Sequence, residues 1–492
     1  MPRPSNPFLA ALLSALVPGA GQWYAGARRR ARPYLLITIG LVVPAAFLYL
    51  MIFYVSGLGL AITLSRPFFE HPTLLGVLLV ANALLLVFRA VAVVDAYLLA
   101  RRSSTQSRSG GVMAVGLAAL LFLTALPHGW VGERNLLLYD LMTHDFSADP
   151  GQVPLDQVTS TTAGEGGTTS SQVTTTTLSD AFPEAGRVNV LLMGGDAGVD
   201  REGIRTDTMI VVSIDPETGW TAMLGIPRNL THIPIPSDHP ATNAWDSCDG
   251  CFPLLANQVY EWGLVRPDLF GGPNSGGNSM KVIMGHLLGI DIHYFALVDL
   301  EGFIEIIDAI GGVDITVTAR IYDTEYPNPD GTFSVIDLQP GEYHMDGEMA
   351  LYYTRSRQGS NDFDRMNRQR CLLEAIAAQT DPVTAIRQFP TLVPAIESSV
   401  ITDVPVSVIP DFIGLLEKVN VEEVVSIRFM PDAPEFAGTP TSYIGAWTDD
   451  RFPIPDREFI AATVDTALSL PPLQAIEQLN LQPIDDVCGS SG

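Results

Sequence analysis

The chain has 492 residues, is 47% hydrophobic and carries a net charge of −26, with a mean hydropathy of +0.24. That length holds two or three units, and the hydrophobicity is too high for a wholly soluble chain, so part of it belongs in lipid. The charge is split: residues 1–130 hold 10 Lys+Arg and 2 Asp+Glu, a net +8, which leaves −34 for the remainder and excludes a general nucleic-acid binder, because that needs a basic footprint.

The stretch Phe8–Gly26 is apolar but broken by Pro18, Gly19 and Gly21. An arginine cluster follows, so a re-entrant or interfacial hairpin over 8–26 is expected rather than a span, with a cleaved signal peptide as the rival. Three spans are predicted at about 34–55, 74–100 and 112–130, each near the roughly 20 apolar residues that cross a bilayer core. Arg28, Arg29, Arg30 and Arg32 precede the first, and Arg101, Arg102 and Arg108 separate the second from the third. The positive-inside bias then predicts a multi-pass cell-membrane protein whose remainder is extracytoplasmic. Arg89 and Asp95 lie inside the second span, where ionisable groups are costly; they are either a functional pair or, for Asp95, a residue that reaches the interface. Residues 131–180 read as a linker, almost wholly small and hydroxylic over 158–179.

From 181 to 480 the pattern alternates. Strands are predicted over Arg187–Met193, Thr208–Ile214, Trp220–Ile226, Tyr294–Val298 and Val313–Val317, and helices over Met280–Leu288, Leu300–Ile310, Asp346–Tyr353 and Asp364–Gln379. A further helix, strand and terminal helix lie between about 407 and 470, and a tail occupies 481–492. Such alternation predicts a layered α/β domain, in which Asp299 caps a helix. Cys248, Cys251, Cys371 and Cys488 suit structural disulfides of an oxidising compartment, with a pairing that spacing does not decide.

Five of the 18 basic residues beyond position 130 are Arg355, Arg357, Arg365, Arg368 and Arg370. Arginine offers a rigid fork of donors, stays charged when desolvated and matches phosphate oxygens two at a time. On a helix Arg365, Arg368 and Gln369 share one face. The competing reading is a surface ion-pair network with Glu348, Asp362, Asp364 and Glu374. Asp196 follows the first strand at the edge where α/β sheets bind ligands, and Asp207 stands in the Arg205–Thr208 segment that begins the second. Two carboxylates without histidine or cysteine nearby are the hard ligands magnesium prefers, with substrate phosphates completing its shell; a turn or cap is the alternative for each. Arg228 brings one more guanidinium to the end of the third strand. The M-G-G-D-A-G run is no dinucleotide fingerprint, and no nucleophile elbow occurs.

Taken together, the motifs resemble the LytR-CpsA-Psr family of cell-wall glycopolymer ligases. They are N-V-L-L-M-G-G-D at Asn189–Asp196, R-T-D-T at Arg205–Thr208, G-I-P-R at Gly225–Arg228, the segment from Leu297 to Val313, Met345–Arg357, and D-F-D-R-M-N-R-Q at Asp362–Gln369. The resemblance covers about 187–385. It implies a three-layer α/β/α sandwich with a mixed central sheet, an apolar tunnel for a polyprenyl tail and an arginine-lined mouth for pyrophosphate. By motif, Asp196 and Asp207 look like Mg2+ ligands. Arg228, Arg355, Arg357, Arg365 and Gln369 look like pyrophosphate contacts, with Arg205 and Arg368 at further motif positions and Asp362 orienting the arginines or accepting a proton.

The implied activity is phosphotransfer: a peptidoglycan hydroxyl attacks the sugar-proximal phosphorus of a polyprenyl-pyrophosphate-linked glycan. Asn229 and Thr242 replace the Asp and Lys usual in the family, and an insertion carrying Cys248, Cys251 and Gly271–Gly277 follows. A pyrophosphatase using water as acceptor, and a non-catalytic lipid- or wall-polymer-binding regulatory membrane protein, are the alternatives.

Overall fold

The computed structural model describes residues 6–50, 57–103, 110–144, 186–196, 203–327, 332–356, 362–379, 392–420, 423–430, 443–481 and 488. The chain divides into two compact units, residues 1–144 and 145–492.

The first unit is helical: α1 (Pro7–Leu16), α2 (Ala20–Tyr24), α3 (Arg28–Leu50), α4 (Gly57–Glu70), α5 (Thr73–Ser103) and α6 (Gly110–Thr143). Pro7 and the Asn6 side chain start α1, the latter accepting from the Phe8 and Leu9 amides. The break at Pro18 and Gly19 then folds α2 back on it. Gly21 is required there, because a Cβ would lie 1.9 Å from the Ala10 carbonyl oxygen.

Arg89 and Asp95 on α5 both hold this hairpin. Arg89 Nη2 donates to the Ala15 carbonyl in the last turn of α1 at 2.7 Å, while Asp95 accepts from Gln22 and Arg30 at 3.2 Å each. Among the described residues, two helices are long and apolar enough to cross a membrane, Thr73–Arg102 and Met113–Thr143. The latter continues 13 residues past the expected end at 130, because 131–143 contains no proline and keeps its leucines at helical spacing. Of the span expected at 34–55, α3 covers the part to Leu50, and 51–55 lie outside the described residues.

The second unit is mixed α/β. Its central sheet contains β1 (Val188–Gly195), β2 (Thr206–Ile214), β3 (Thr221–Gly225), β6 (Tyr294–Val298), β11 (Val400–Thr402) and β12 (Val425–Arg428), in the order β11-β6-β1-β2-β3-β12. β1 pairs antiparallel with β2 and parallel with β6; β3 pairs parallel with β12. A short ribbon joins β4 (Ile233–Pro234) to β5 (Cys251–Phe252).

Alternate residues of the sheet serve different cores, as the period of 2 requires. Leu191, Met209, Val211 and Leu224 pack with α7 (Val259–Leu264), α9 (Ser275–Leu288), α15 (Arg457–Ser469) and α16 (Pro472–Gln478), next to α8 (Pro267–Phe270). Gly277 lets α9 lie directly on β6, since a Cβ there would meet the Phe295 ring at 2.1 Å. Ile210 and Met223 pack against Cys371 of α12 (Asp362–Gln379). Val188 and Ile214 pack against Leu415 of α14 (Ile409–Leu416), which follows α13 (392–399). Cys371 is bonded to Cys488, and Cys248 to Cys251.

A second core forms a side lobe from α10 (Leu300–Ala309), β7 (Val313–Val317), β8 (Ile321–Pro327), β9 (Phe333–Leu338), β10 (Gly341–Met345), α11 (Gly347–Arg355) and one side of α12. Val313–Val317 thus continues the alternation of the sequence without joining the central sheet. It pairs with β10, and its inward Val313, Ile315 and Val317 fill the lobe. Asp299 and Asp346 cap α10 and α11, accepting from the Gly302 amide at 2.8 Å and the Met349 amide at 2.9 Å. The remaining ribbon is β13 (Ile444–Trp447) with β14 (Pro453–Pro455).

Candidate active site

The site begins with a one-residue slip. Gly194 faces Thr208 but Gly195 faces Thr206, which leaves Asp207 as a bulge. Bulges re-aim a side chain, and this one binds the backbones of both aspartates to one oxygen. The Arg205 carbonyl accepts from the Asp196 amide at 2.8 Å and from the Asp207 amide at 3.2 Å.

Asp207 Oδ2 accepts from Arg228 Nη1 at 2.8 Å, and its Oδ1 accepts from Asn257 Nδ2 at 2.9 Å. Burial opposes ionisation of Asp207, but the Arg228 charge, these two hydrogen bonds and the Arg365 charge outweigh it and hold the carboxyl below the usual aspartate range. Opposite, Arg355 Nη2 donates to Asp196 Oδ1 at 3.2 Å, and its Nη1 lies 3.5 Å from the Tyr326 hydroxyl.

These groups line a cavity of about 540 Å3. Asp196, Arg205, Asp207, Arg228 and Asn257 form its sheet wall; Asp323, Glu325, Tyr326, Pro327 and Arg355 form its lobe wall. Arg365 is 2% exposed and lines a small recess beside Asp207, and Gln369 Nε2 donates to Thr208 Oγ1 at 2.8 Å.

Helical spacing placed Arg365, Arg368 and Gln369 on one face, and all three are buried. Their heads diverge. Arg368, expected from its motif position among the pyrophosphate-binding residues, donates from Nε to the Tyr353 carbonyl at 2.6 Å and from Nη2 to the Ser356 carbonyl, and it is not among the residues lining the cavity. The reason is the close approach of the end of α11, whose last carbonyls need donors. Arg357 and the side chain of Asp362 lie outside the described residues.

Sequence reasoning missed Asn257, Asp323, Glu325 and Tyr326. It also missed Arg428 of β12, 2% exposed and donating to Asn367 on α12. One signal was available: Asp323 follows Ile321 at an inward position of an alternating strand, where a carboxylate is unexpected.

Among the described residues no group of three or more His, Cys, Asp or Glu could hold a metal. Asp196 and Asp207 nevertheless fit Mg2+ in kind, being two hard oxygen donors on one cavity, and that ion takes one or two carboxylates with water and phosphate oxygens.

The LytR_cpsA_psr family profile matches residues 155–445. The chain belongs to this family. It is 30% identical over 230 residues to the polyisoprenyl-teichoic acid–peptidoglycan teichoic acid transferase TagU of Oceanobacillus iheyensis, covering 46% of this chain and 62% of that one. It is also 24% identical over 245 residues to the Biofilm regulatory protein A of Streptococcus mutans, covering 48% and 55%. The chain therefore spans less than two thirds of the length of either relative. Among solved structures, B. subtilis TagV superposes with a TM-score of 0.41 at 21% identity, covering 61% of this chain and 99% of that one. Within the family match lie both walls of the cavity, with the arginines and aspartates that line them.

Proposed function

We propose that this chain is a membrane-anchored cell-wall glycopolymer transferase, moving a glycan phosphate from a polyprenyl-pyrophosphate carrier to a peptidoglycan hydroxyl. The observation that carries the reading is the cavity lined by Arg205, Arg228 and Arg355, in which Arg228 pairs with Asp207 and Arg355 with Asp196. In a unit this acidic, grouped guanidinium groups with aspartates that hold their heads in place suit a phosphate-rich ligand. The name of the O. iheyensis relative, transfer of a polyisoprenyl-linked teichoic acid to peptidoglycan, supports the same donor and acceptor classes. The helices on both sides of the central sheet support the three-layer α/β/α reading.

In this scheme the acceptor oxygen forms a bond to the sugar-proximal phosphorus, and the bond from that phosphorus to the bridging oxygen breaks. Polyprenyl phosphate leaves, and the hydroxyl proton passes to a carboxylate, for which Asp362 is the motif candidate. Arg228 and Arg355, with Arg357 and Arg365, offset charge on the phosphoryl oxygens in a site where preorganised donors need little reorganisation. Asp196 and Asp207 would hold Mg2+, which would supply neutralisation of the charge on the phosphate oxygens. α5 and α6 would anchor the chain in the cell membrane, with α3 as a third span and the 145–492 unit outside the cytoplasm.

The test is incubation of the full chain in detergent with Mg2+, a polyprenyl-pyrophosphoryl saccharide and a peptidoglycan oligomer, read by mass spectrometry. Saccharide phosphate joined to the oligomer is expected, with a loss of about 100- to 1000-fold in Arg228→Ala, the size typical of removing one preorganised oxyanion donor. Free saccharide phosphate without attachment would replace this reading by hydrolysis, and bound lipid without turnover would replace it by a binding module.

A further inference from the structure

We propose that the β8–β9 hairpin aims the Arg355 guanidinium into the site, through Asp323 and Tyr326 acting as positioning residues. The inference rests on the reading above, in which that arginine receives a pyrophosphate.

β8 turns Ile321 and Asp323 inward, and the strand pairing is irregular between Asp323 and Tyr326, which turns Tyr326 inward as well. Asp323 is only 5% exposed. A carboxylate so buried costs several kcal/mol unless hydrogen bonds stabilise it. Ser356 Oγ donates to its Oδ2 at 2.9 Å, and the Glu325 amide donates to its Oδ1 at 3.1 Å.

Ser356 is the residue where α11 ends and the chain turns to extended backbone, at φ −54° and ψ 137°. It stands between Arg355 and Arg357. With 1% of its surface exposed, it is gripped from two directions: Asp323 takes its hydroxyl and Arg368 its carbonyl. One residue earlier, the Arg355 guanidinium lies between Asp196 and Tyr326, 5.8 Å from the centre of the phenol ring. Tyr326 is 4% exposed and braced edge-on against Tyr352, with centroids 4.8 Å apart.

The consequence is preorganisation. A free arginine at a helix end samples many rotamers, and binding must fix them, so a head already aimed binds phosphate more tightly and positions it more accurately. The hairpin supplies that aim from the lobe core without itself carrying any of the family's arginines. It also explains why Arg368, a motif residue, spends its donors on backbone. Arg368 and Asp323 are the two jaws of one clamp on Ser356.

The test uses the full chain in detergent, titrated calorimetrically with farnesyl pyrophosphate and Mg2+. Wild type is compared with Asp323→Asn, Ser356→Ala, Ser356→Thr and the double variant Asp323→Asn/Ser356→Ala. Asp323→Asn and Ser356→Ala are each expected to weaken binding about ten- to a hundredfold, the size of one buried hydrogen bond to a charged group. The double variant should be no weaker than the worse single one, because both remove the same contact. Ser356→Thr should keep most of the affinity, since it keeps the hydroxyl.

Unchanged binding in Asp323→Asn and Ser356→Ala overturns the proposal. Additive losses overturn it too, since Asp323 would then act on the ligand directly. If wild type binds no farnesyl pyrophosphate, the transferase reading fails, and the clamp is read separately from hydrogen exchange at the Ser356 amide. Faster exchange in Asp323→Asn supports the clamp, and unchanged exchange overturns it.

Discussion

The sheet wall of the cavity is built by neighbours. Asp196, Asp207 and Arg228 stand at the ends of three adjacent strands, and backbone hydrogen bonds to the single Arg205 carbonyl bring the two acids together. The lobe wall comes from elsewhere: Arg355 reaches Asp196 across 159 residues, from a helix whose packing belongs to a separate core. The first wall is fixed by a strand register that cannot slip without turning apolar side chains outward. The second is fixed by side-chain contacts and by how α12 sits. That helix serves both cores, with Met366 on the sheet side and Leu372 in the lobe. A wall held this way is the one that mutation or ligand can shift.

The largest expected effect tests that joint. Cys371 on α12 is bonded to Cys488, 117 residues later, whereas Cys248 and Cys251 are separated by 3. Loop-closure entropy makes the long link worth roughly 5 kcal/mol and the short one roughly 2 kcal/mol. Cys371→Ser/Cys488→Ser should therefore lower the thermal transition of the second unit far more than Cys248→Ser/Cys251→Ser, as measured by scanning calorimetry of the full chain. It should also weaken phosphate binding, because α12 carries Arg365 and braces the lobe wall. Equal shifts for the two pairs would show that the joint is held by packing alone.

The sheet wall is tested next, by pH. The Asp207 carboxyl is held below the usual aspartate value of 3.8 in the folded chain. The unfolded chain therefore binds this proton more readily, and stability rises with pH across the interval between the two values. The contribution is complete above the unfolded value and is lost as pH falls through the lower folded one. Asp207→Asn should remove that part of the pH dependence and cost about 1–3 kcal/mol at neutral pH, since Arg228 is left facing an amide. An acid limb identical to wild type would mean that the Asp207–Arg228 pair contributes nothing to folding.

The sheet wall was also the legible one. Asp196 and Arg228 follow, and Asp207 precedes, apolar runs of near-continuous hydrophobicity that mark buried strands, so their place at strand ends could be read from pattern alone. Asn257 could not, because it comes from an insertion without periodicity. Tyr326 could not, because the pairing of β8 with β9 is irregular after Asp323, and that irregularity is what turns Tyr326 inward; Asp323 itself left only the signal of a carboxylate in phase with Ile321. Arg368 shows the limit of helical spacing: sharing a face with Arg365 and Gln369 fixes where its Cβ points, while the approach of α11 decides where its guanidinium goes. Val313–Val317 was rightly read as a strand, but strand pattern does not say which sheet the strand enters.

The smallest effect sharpens the comparison where the walls meet in sequence. Asp299 stands between β6 of the sheet and α10 of the lobe, capping α10 through the Gly302 amide. Burial raises its carboxyl above the usual range, opposed by the amide hydrogen bonds, so its charge brings little beyond the cap itself. Asp299→Ala should cost about 1 kcal/mol, and Asp299→Ser, which caps without charge, should restore most of that. Neither should change farnesyl pyrophosphate affinity, because α10 supports the lobe core and contributes no residue to the cavity lining. If Asp299→Ala weakened binding as much as Asp323→Asn, the aim of Arg355 would depend on how the whole lobe sits on β6, and the hairpin would be only one part of a larger support.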